Sequence, residues 1–187
     1  MSRRNVQLVI LCEDSQQECF LRRFFEKRGR DKRVLRVVKA PAGQGAADQF
    51  VRDRFPTELA AWRARRGHVA QAVVAMIDGD RFGLAGRMQE LGQACQAAEI
   101  EPRQPDDRVA VFVPTWRIET WFAYLDGQTV DEGKADYPRL DRERKCQRHV
   151  DALAAMCDGG SGLRAPAPPS LDAACDEFNS QLTGGAS

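Results

Sequence analysis

The chain has 187 residues, of which 43% are hydrophobic and 29% are charged, and its formal net charge is +1. This length and apolar fraction suffice for a domain with its own core, and the charged fraction argues against a membrane protein. The apolar runs at residues 6–12 and 69–77 have the length of strands and are too short to span a bilayer. The N-terminal residues lack the layout of a signal peptide, so we expect a cytoplasmic protein with no membrane partner.

Predicted strands and helices alternate through the first two thirds of the chain. Apolar runs predict strands at residues 6–12, 33–38, 69–77 and 108–113. Helical patterns predict helices at residues 15–28, 46–66, 84–98 and 117–125. This alternation predicts an α/β fold of Rossmann-like type, in which helices flank a mainly parallel four-stranded sheet. The pattern of residues 126–187 predicts two further helices. We treat this segment as a C-terminal helical extension of a domain at residues 1–125.

Two local patterns refine the predicted helices. Asp14 and Ser15 can cap the first helix, and Glu18 is placed to complete a capping box with Ser15. Pro56 is expected to interrupt or restart the second helix, because proline lacks the amide hydrogen that a helix interior requires.

The cysteines show no spacing that identifies a metal site. There are six of them, Cys12, Cys19, Cys95, Cys146, Cys157 and Cys175. None forms a C-x-x-C pair and most lie in apolar or helical segments, so we interpret them as buried reduced thiols. The alternative is a zinc site formed by Cys146, His149 and Cys157, for which the sequence offers no evident fourth ligand.

Acidic residues follow two of the predicted strands. Glu13 and Asp14 come after the first strand, and Asp78 and Asp80 come after the third. Ligands of open α/β sheets bind beyond the carboxyl ends of the strands, so these carboxylates converge if the two strands are neighbours. A divalent cation is the usual way to stabilise such a cluster, and oxygen ligands favour Mg²⁺, Mn²⁺ or Ca²⁺ over zinc. The sequence therefore predicts a metal site formed by Glu13, Asp78 and Asp80, the alternative being an acidic turn.

Residues around the fourth predicted strand and helix extend the candidate site. Glu119 lies in an aromatic-rich helix, and a carboxylate in that setting needs a partner such as a metal ion or Arg117. Arg81 and Arg117 can bind a phosphate group, the alternative being that both side chains are simply solvated. We interpret Trp116 and Trp121 as packing residues rather than as platforms for base stacking.

These motifs resemble those of the Toprim superfamily, the metal-binding fold of topoisomerases, bacterial primases, small ribonucleases and OLD-type nucleases. That family has a glutamate after its first strand and an Asp-x-Asp after its third, which Glu13, Asp78 and Asp80 match. The segment at residues 114–121 is similar to a Pro-x-x-x-x-Glu-x-Trp segment of small bacterial Toprim-like proteins. The resemblance covers about residues 5–125.

Two positions depart from the family pattern. Asp14 stands where the family usually has glycine directly after the glutamate. Gln17 stands where a second acid often follows, four residues after Glu13. Asp14 can either act as a further ligand or crowd the site.

The resemblance implies a nuclease that hydrolyses phosphodiesters with Mg²⁺ or Mn²⁺. The catalytic residues would be Glu13, Asp78, Asp80 and Glu119, of which the first three also bind the metal, and Arg81 and Arg117 would bind substrate. Residues 1–39 are rich in Lys and Arg and would follow the backbone of DNA or RNA, the alternative being a solvated helix face and a basic turn. Toprim-like proteins of this size resemble partners of ATPases, which implies an effector subunit of an ATPase-associated anti-phage defence system.

Two other hypotheses remain open at this point. The first is a non-catalytic Toprim-like interaction subunit of such a complex, which the departures at Asp14 and Gln17 favour. The second is a phosphotransferase of the haloacid-dehalogenase type with Asp78 as nucleophile. Phe82 stands where that motif has Thr or Val, and Asp78 follows the third strand instead of the first, so the nuclease hypothesis is preferred.

Overall fold

A four-stranded parallel sheet forms the centre of the molecule in the computed structural model, which describes residues 7–43, 45–157 and 162–183. The strands are β1 (Leu8–Cys12), β2 (Leu35–Lys39), β3 (Ala72–Met76) and β4 (Val109–Phe112). Their order is β2-β1-β3-β4, and every pairing is parallel. The predicted α/β class and parallel sheet are thereby confirmed, and β1 lies directly beside β3. Val6, where the first strand was expected to begin, lies outside the described residues.

Six α-helices of the described residues cover the sheet and form the C-terminal extension. They are α1 (Ser15–Lys27), α2 (Ala47–Arg65), α3 (Gly83–Ala97), α4 (Ile118–Leu125), α5 (Gln147–Met156) and α6 (Pro169–Glu177). Short 3₁₀ turns at Lys32–Val34 and Glu143–Cys146 and a π-helical segment at Phe178–Thr183 complete the secondary structure of the described residues. No helix among these residues is long and apolar enough to cross a membrane.

Alternate side chains of the sheet enter two separate cores. In β1, Leu8, Ile10 and Cys12 face a core shared with α1, α4 and the C-terminal extension. Val9 and Leu11 face the opposite core, which contains apolar side chains of α2 and α3. All five residues of β1 are buried, as in a parallel strand covered on both faces. The sheet therefore holds the ends of β1 and β3 rigidly side by side.

Helix α2 corrects the expectation about Pro56. The helix runs without a break from Ala47–Arg65 and contains Pro56 in its interior. Phe55 and Leu59, on either side of Pro56, are at most 2% exposed in the core against the sheet. The predicted interruption is wrong because tertiary packing of this apolar face outweighs the local cost of proline.

Two of the six cysteines are not the reduced thiols that we expected. Cys157, directly after α5, forms a disulfide with Cys175 of α6, and their Cα atoms are 5.7 Å apart. The pairing arises because α5 and α6 pack into one core, a contact that the spacing in the sequence does not reveal. The alternative zinc site is also excluded, because Cys157 is bonded and His149 Nε2 lies 3.0 Å from Asp126 Oδ2.

Candidate functional site

Three residues join the carboxyl ends of β1 and β3. The backbone amide of Asp78 donates to Glu13 Oε1 at 2.6 Å, and Gln17 Nε2 donates to Asp78 Oδ1 at 2.9 Å. The amide of Glu13 in turn donates to Gln17 Oε1 at 2.9 Å. Glu13 and Asp78, which are 65 residues apart in sequence, therefore lie in one hydrogen-bonded cluster, as the neighbouring positions of β1 and β3 led us to expect.

The start of α1 fixes the position of Gln17. Asp14 is the N-cap residue, and its Oδ1 accepts a 2.8 Å hydrogen bond from the amide of Gln17. The expected capping box of Ser15 and Glu18 is wrong, because Lys39 Nζ donates to Ser15 Oγ at 2.9 Å and to Glu18 Oε2 at 2.7 Å. The helix cap thus fixes the backbone of Gln17 so that its side-chain amide lies between the ends of β1 and β3.

Asp80 is bound by an arginine of α3. Arg87 is 1% exposed, and its Nη2 donates to Asp80 Oδ2 at 2.8 Å. The same guanidinium donates from Nη1 to Asp48 Oδ2 at 3.0 Å and to Glu90 Oε2 at 2.8 Å, and from Nε to the carbonyl oxygen of Asp78 at 2.8 Å. A buried guanidinium requires such partners, so Asp80 belongs to an ion-pair network beside the cluster of Glu13 and Asp78.

The backbone between the two aspartates packs tightly against the segment after β4. The Gly79 amide donates to the Pro114 carbonyl oxygen at 2.8 Å, and the Asp80 amide donates to the Trp116 carbonyl oxygen at 2.9 Å. A Cβ atom on Gly79 would lie 2.8 Å from the Pro114 oxygen, so this approach requires glycine. Asp80 and Trp116 have φ angles of 44° and 60°, which are unusual for residues other than glycine.

Glu119 lies at the edge of the same acidic region. It is 5% exposed, and its Oε1 accepts a 3.0 Å hydrogen bond from Gln16 Nε2. Arg139 of the C-terminal extension approaches the same oxygen to 3.6 Å. A cavity of about 330 Å³ opens here, lined among others by Asp14, Gln16, Glu119 and Arg139. Sequence reasoning did not find Arg139, because no motif connects residue 139 to the strand ends.

Burial and mutual repulsion make Asp78 hard to ionise. Burial is the main reason why its pKa lies well above the usual value, and the charges of Glu13, Asp14 and Glu119 raise the pKa further. The hydrogen bond from Gln17 lowers the pKa and only partly offsets these effects. Burial and the neighbouring carboxylates thus disfavour the ionised form of Asp78.

Glu13 has a similarly raised pKa of about 7. Burial is the main cause, the charges of Asp48 and Asp80 add to it, and the Asp78 amide and Arg87 act in the opposite direction. Two neighbouring carboxyl groups with raised pKa values are typical of functional sites.

The two arginines predicted to bind substrate are exposed. The Arg81 guanidinium carbon lies 5.0 Å from the centre of the Phe82 ring, and Arg117 is the N-cap residue of α4. Within the described ranges, neither forms an ion pair with the acids of the site. Trp121 is 1% exposed in the core, in line with its interpretation as a packing residue.

The oxygen ligands of the site suit a hard divalent cation. Glu13 and Asp78 offer carboxylate oxygens next to each other, and a cation between them would offset the burial and repulsion that raise their pKa values. These side chains do not form a complete coordination shell, however. In the described part of the chain, no three Asp, Glu, His or Cys residues are grouped as ligands of one ion. Asp80 is held instead by Arg87.

Comparisons with known proteins leave the chain without an assigned relative. No family model, no curated protein and no solved structure matches it. The resemblance to the Toprim superfamily therefore depends on Glu13, Asp78 and Asp80 and the elements that carry them.

Proposed function

We propose that this protein is a nuclease of Toprim type that hydrolyses phosphodiesters with Mg²⁺ or Mn²⁺. The observation that supports this proposal best is the pairing of Glu13 and Asp78 at the carboxyl ends of adjacent parallel strands. Ligands of open α/β sheets bind at this edge. The raised pKa values of both residues mean that a cation would bind where its charge is most stabilising.

The residues around this pair suggest how the proposed site would work. Glu13 and Asp78 would hold the metal ion, which would supply Lewis-acid activation of the phosphodiester. Arg87 keeps Asp80 beside them, so Asp80 would join the ligands by exchanging Arg87 for the cation. Glu119, at the cavity with Arg139, would accept a proton or complete a second metal site. Arg81 and Arg117 are exposed and free to contact substrate phosphates.

The same resemblance is the basis for proposing a partner and a biological role. Small Toprim-like proteins resemble effector subunits that act with an ATPase, so we propose an ATPase partner and a role in anti-phage defence. The basic residues near the N-terminus would contribute contacts to the backbone of DNA or RNA that do not depend on base sequence.

Cleavage assays with isosteric variants test the proposed activity. Plasmid DNA and single-stranded DNA and RNA would be incubated with Mg²⁺ or Mn²⁺ and wild-type protein, Asp78→Asn or Asp106→Asn. Asp106 is exposed and precedes β4, so it lies beyond the amino ends of the parallel strands, on the side of the sheet away from the acidic site. It therefore serves as the matched control. We expect cleavage by the wild type and by Asp106→Asn, and a loss on the order of a hundredfold or more in Asp78→Asn. Cleavage that survives in Asp78→Asn would contradict the proposal.

A non-catalytic interaction subunit is the second candidate function. It is favoured by Gln17, which presents an amide to Asp78 where the family often has an acid, and by the ion pair of Asp80 with Arg87. Titration calorimetry separates the two candidates. Asp78-dependent binding of Mn²⁺ without cleavage of any of these substrates would favour the non-catalytic subunit.

A further inference from the structure

Phe82 is an exposed aromatic side chain next to the acidic site. It follows Asp80 by two residues, and its backbone amide donates to the Gly79 carbonyl oxygen at 2.9 Å. The side chain is 43% exposed, and in the described part of the chain it is the one large hydrophobic residue that is exposed. An exposed aromatic ring beside a candidate site offers a π-system on which a ligand can stack.

Two guanidinium groups lie against the Phe82 ring. The guanidinium carbon of Arg87 is 4.9 Å from the ring centre, and that of Arg81 is 5.0 Å from it. Arg87 is buried and held by Asp80, so its contact fixes the ring in place. Arg81 is exposed and has no ion pair with a described residue, so a base that stacks on the ring would displace only its contact with Phe82.

Gly86 leaves room for this position of the ring. The residue lies one turn after Phe82 on α3, and a Cβ atom there would be 2.9 Å from the Phe82 Cβ. A larger residue at position 86 would push the Phe82 side chain away. The position of Phe82 is therefore determined by Gly86 and Arg87 together, and the ring is preorganised without being buried.

We propose that Phe82 and Arg81 form a binding site for one unpaired nucleobase of a single-stranded nucleic acid. The base would stack on the Phe82 ring, and the Arg81 guanidinium would cover the base or pair with the adjoining phosphate. This inference rests on the proposed function and deepens it, because it assigns single-stranded DNA or RNA, or a strand with a flipped base, as the substrate class. Arg87 contacts both the Phe82 ring and Asp80, so a base held here would lie next to the acidic site.

The surroundings of the ring favour a nucleobase over a protein partner. Protein-binding surfaces expose contiguous apolar patches, whereas Phe82 is the one large hydrophobic side chain exposed among the described residues. A single aromatic ring beside the exposed Arg81 guanidinium instead matches the combination of π-face and negative phosphate that a nucleotide offers.

Binding of matched oligonucleotides tests this inference without requiring cleavage. Two fluorescein-labelled strands of about 12 nucleotides would be compared, one of thymidines and one with abasic sugars throughout, in a range of strand lengths typical of such sites. Affinity would be measured by anisotropy at low salt, in EDTA and again with Ca²⁺. Phe82→Ala and Phe82→Leu should weaken binding of the thymidine strand about tenfold, and binding of the abasic strand less than about twofold.

Two variants serve as matched controls for the loss of the ring. Phe82→Trp keeps an aromatic face and should retain the affinity of the wild type. Phe82→Leu keeps an apolar side chain without a π-face, so it separates stacking from general hydrophobic contact. Urea unfolding of each variant checks that the fold persists, which we expect because the Phe82 side chain is exposed.

Several outcomes would overturn the inference. These are equal losses for the two strands, no loss in Phe82→Leu, or no base-dependent binding by the wild type in either buffer. If Phe82 serves a protein partner instead, its ring does not contribute to nucleic-acid binding, and Phe82→Leu should bind like the wild type. The proposed nuclease activity would fail separately, as an absence of Asp78-dependent cleavage, while binding could still depend on Phe82 and on the base.

Discussion

Two nitrogen-bearing side chains, Gln17 and Arg87, offset part of the negative charge at the carboxyl ends of β1 and β3. Gln17 donates to Asp78, and Arg87 donates to Asp80, Asp48 and Glu90. Both donors are held in place, Gln17 by the cap of α1 and Arg87 by burial. They leave the charge of the Glu13–Asp78 pair incompletely balanced, since the pKa values of both carboxyl groups are raised.

This imbalance predicts how the stability of the metal-free protein depends on pH. The pKa of Glu13 rises from 4.5 to about 7 on folding, so the folded state binds more protons than the unfolded state between these values. The stabilisation is therefore complete below about pH 4.5 and is lost as pH rises through 7. Urea unfolding in EDTA should show stability falling by on the order of 2 kcal/mol from pH 5 to pH 8.

The same experiment on Glu13→Gln provides the control for this pH dependence. Gln keeps an oxygen that can accept from the Asp78 amide but does not titrate. Its stability should change less across the window than that of the wild type. Glu18, Asp107 and Asp126 have lowered pKa values and titrate below this window, so they do not mask the effect. The pKa of Asp78 is raised as well, so Asp78 changes the stability in the same direction as Glu13 and its contribution remains in Glu13→Gln. A wild-type stability that is constant or rises from pH 5 to pH 8 would be inconsistent with the raised pKa of Glu13.

Gln17→Glu tests whether a carboxylate at position 17 would increase the affinity of the proposed site for a cation. The variant adds a negative charge beside Asp78 and removes the amide donor, so the metal-free protein should be less stable. With Mn²⁺ the added oxygen ligand should raise the affinity about tenfold, which titration calorimetry measures. Gln93→Glu, at an exposed position of α3, is the matched control and should leave the affinity unchanged. Unchanged or weaker binding in Gln17→Glu would contradict a cation site beside position 17.

At the level of elements, the contact between the ends of β3 and β4 defines the shape of the site. Gly79 lies against the backbone at Pro114, and Asp80 pairs with Trp116, so the segment with both aspartates is fixed from one side. The sheet fixes it from the other side through the pairing of β3 with β1. The backbone of Asp78 is therefore fixed, and its carboxylate can move only by rotation of the side chain.

A pair of glycine substitutions tests the importance of this contact. Gly79→Ala places a Cβ atom 2.8 Å from the Pro114 carbonyl oxygen, and rigid backbone lies on both sides. We expect a loss of about 2 kcal/mol or more in the free energy of unfolding, measured by urea denaturation. Gly92→Ala is the matched control, because position 92 lies inside α3 with nothing within 4 Å of the added atom. That substitution should be neutral or stabilise by up to about 1 kcal/mol, and equal effects of the two substitutions would contradict the proposed packing.

The elements themselves were predictable because their signals are local. Apolar runs identified all four strands, and the alternation with helices identified the parallel sheet. The juxtaposition of Glu13 and Asp78 followed from the rule that the ends of neighbouring parallel strands meet at one edge. Pro56 was misread because its tolerance depends on the packing of the whole α2 face, which no local pattern shows.

The contacts that complete the site depend on long-range partners and could not be read from the sequence. The Gln17 hydrogen bond to Asp78 had one available signal, the four-residue spacing from Glu13. Arg87 and Arg139 had none, because their roles appear only when α3 and the C-terminal extension are placed against the sheet. The exposure of Phe82 likewise became visible only in the folded chain.

On the scale of the whole molecule, the C-terminal extension and the sheet share one core. Val150, Leu153, Leu171 and Phe178 of the extension pack in the same cluster as Phe20, Phe24 and Trp121. The extension also covers the edge strand β4. Glu177 binds Arg103 through both of its carboxylate oxygens, at 2.8 and 3.0 Å, and its Oε2 accepts a 3.0 Å hydrogen bond from the Val111 amide. An edge strand left open would instead expose such amides to pairing with other chains.

Truncation after Leu125 tests whether the predicted domain at residues 1–125 folds by itself. Removal of the extension would expose the apolar side chains of α1 and α4 and the edge of β4, so we expect an aggregation-prone chain without fixed tertiary packing. Near-ultraviolet circular dichroism, dye binding and size-exclusion chromatography measure these properties. A chain that ends at Thr183 keeps every described contact and should unfold cooperatively like the full-length protein. A monomeric, cooperatively unfolding chain of residues 1–125 would show instead that the shared core is dispensable, and that the extension is a separate unit docked on an independent domain.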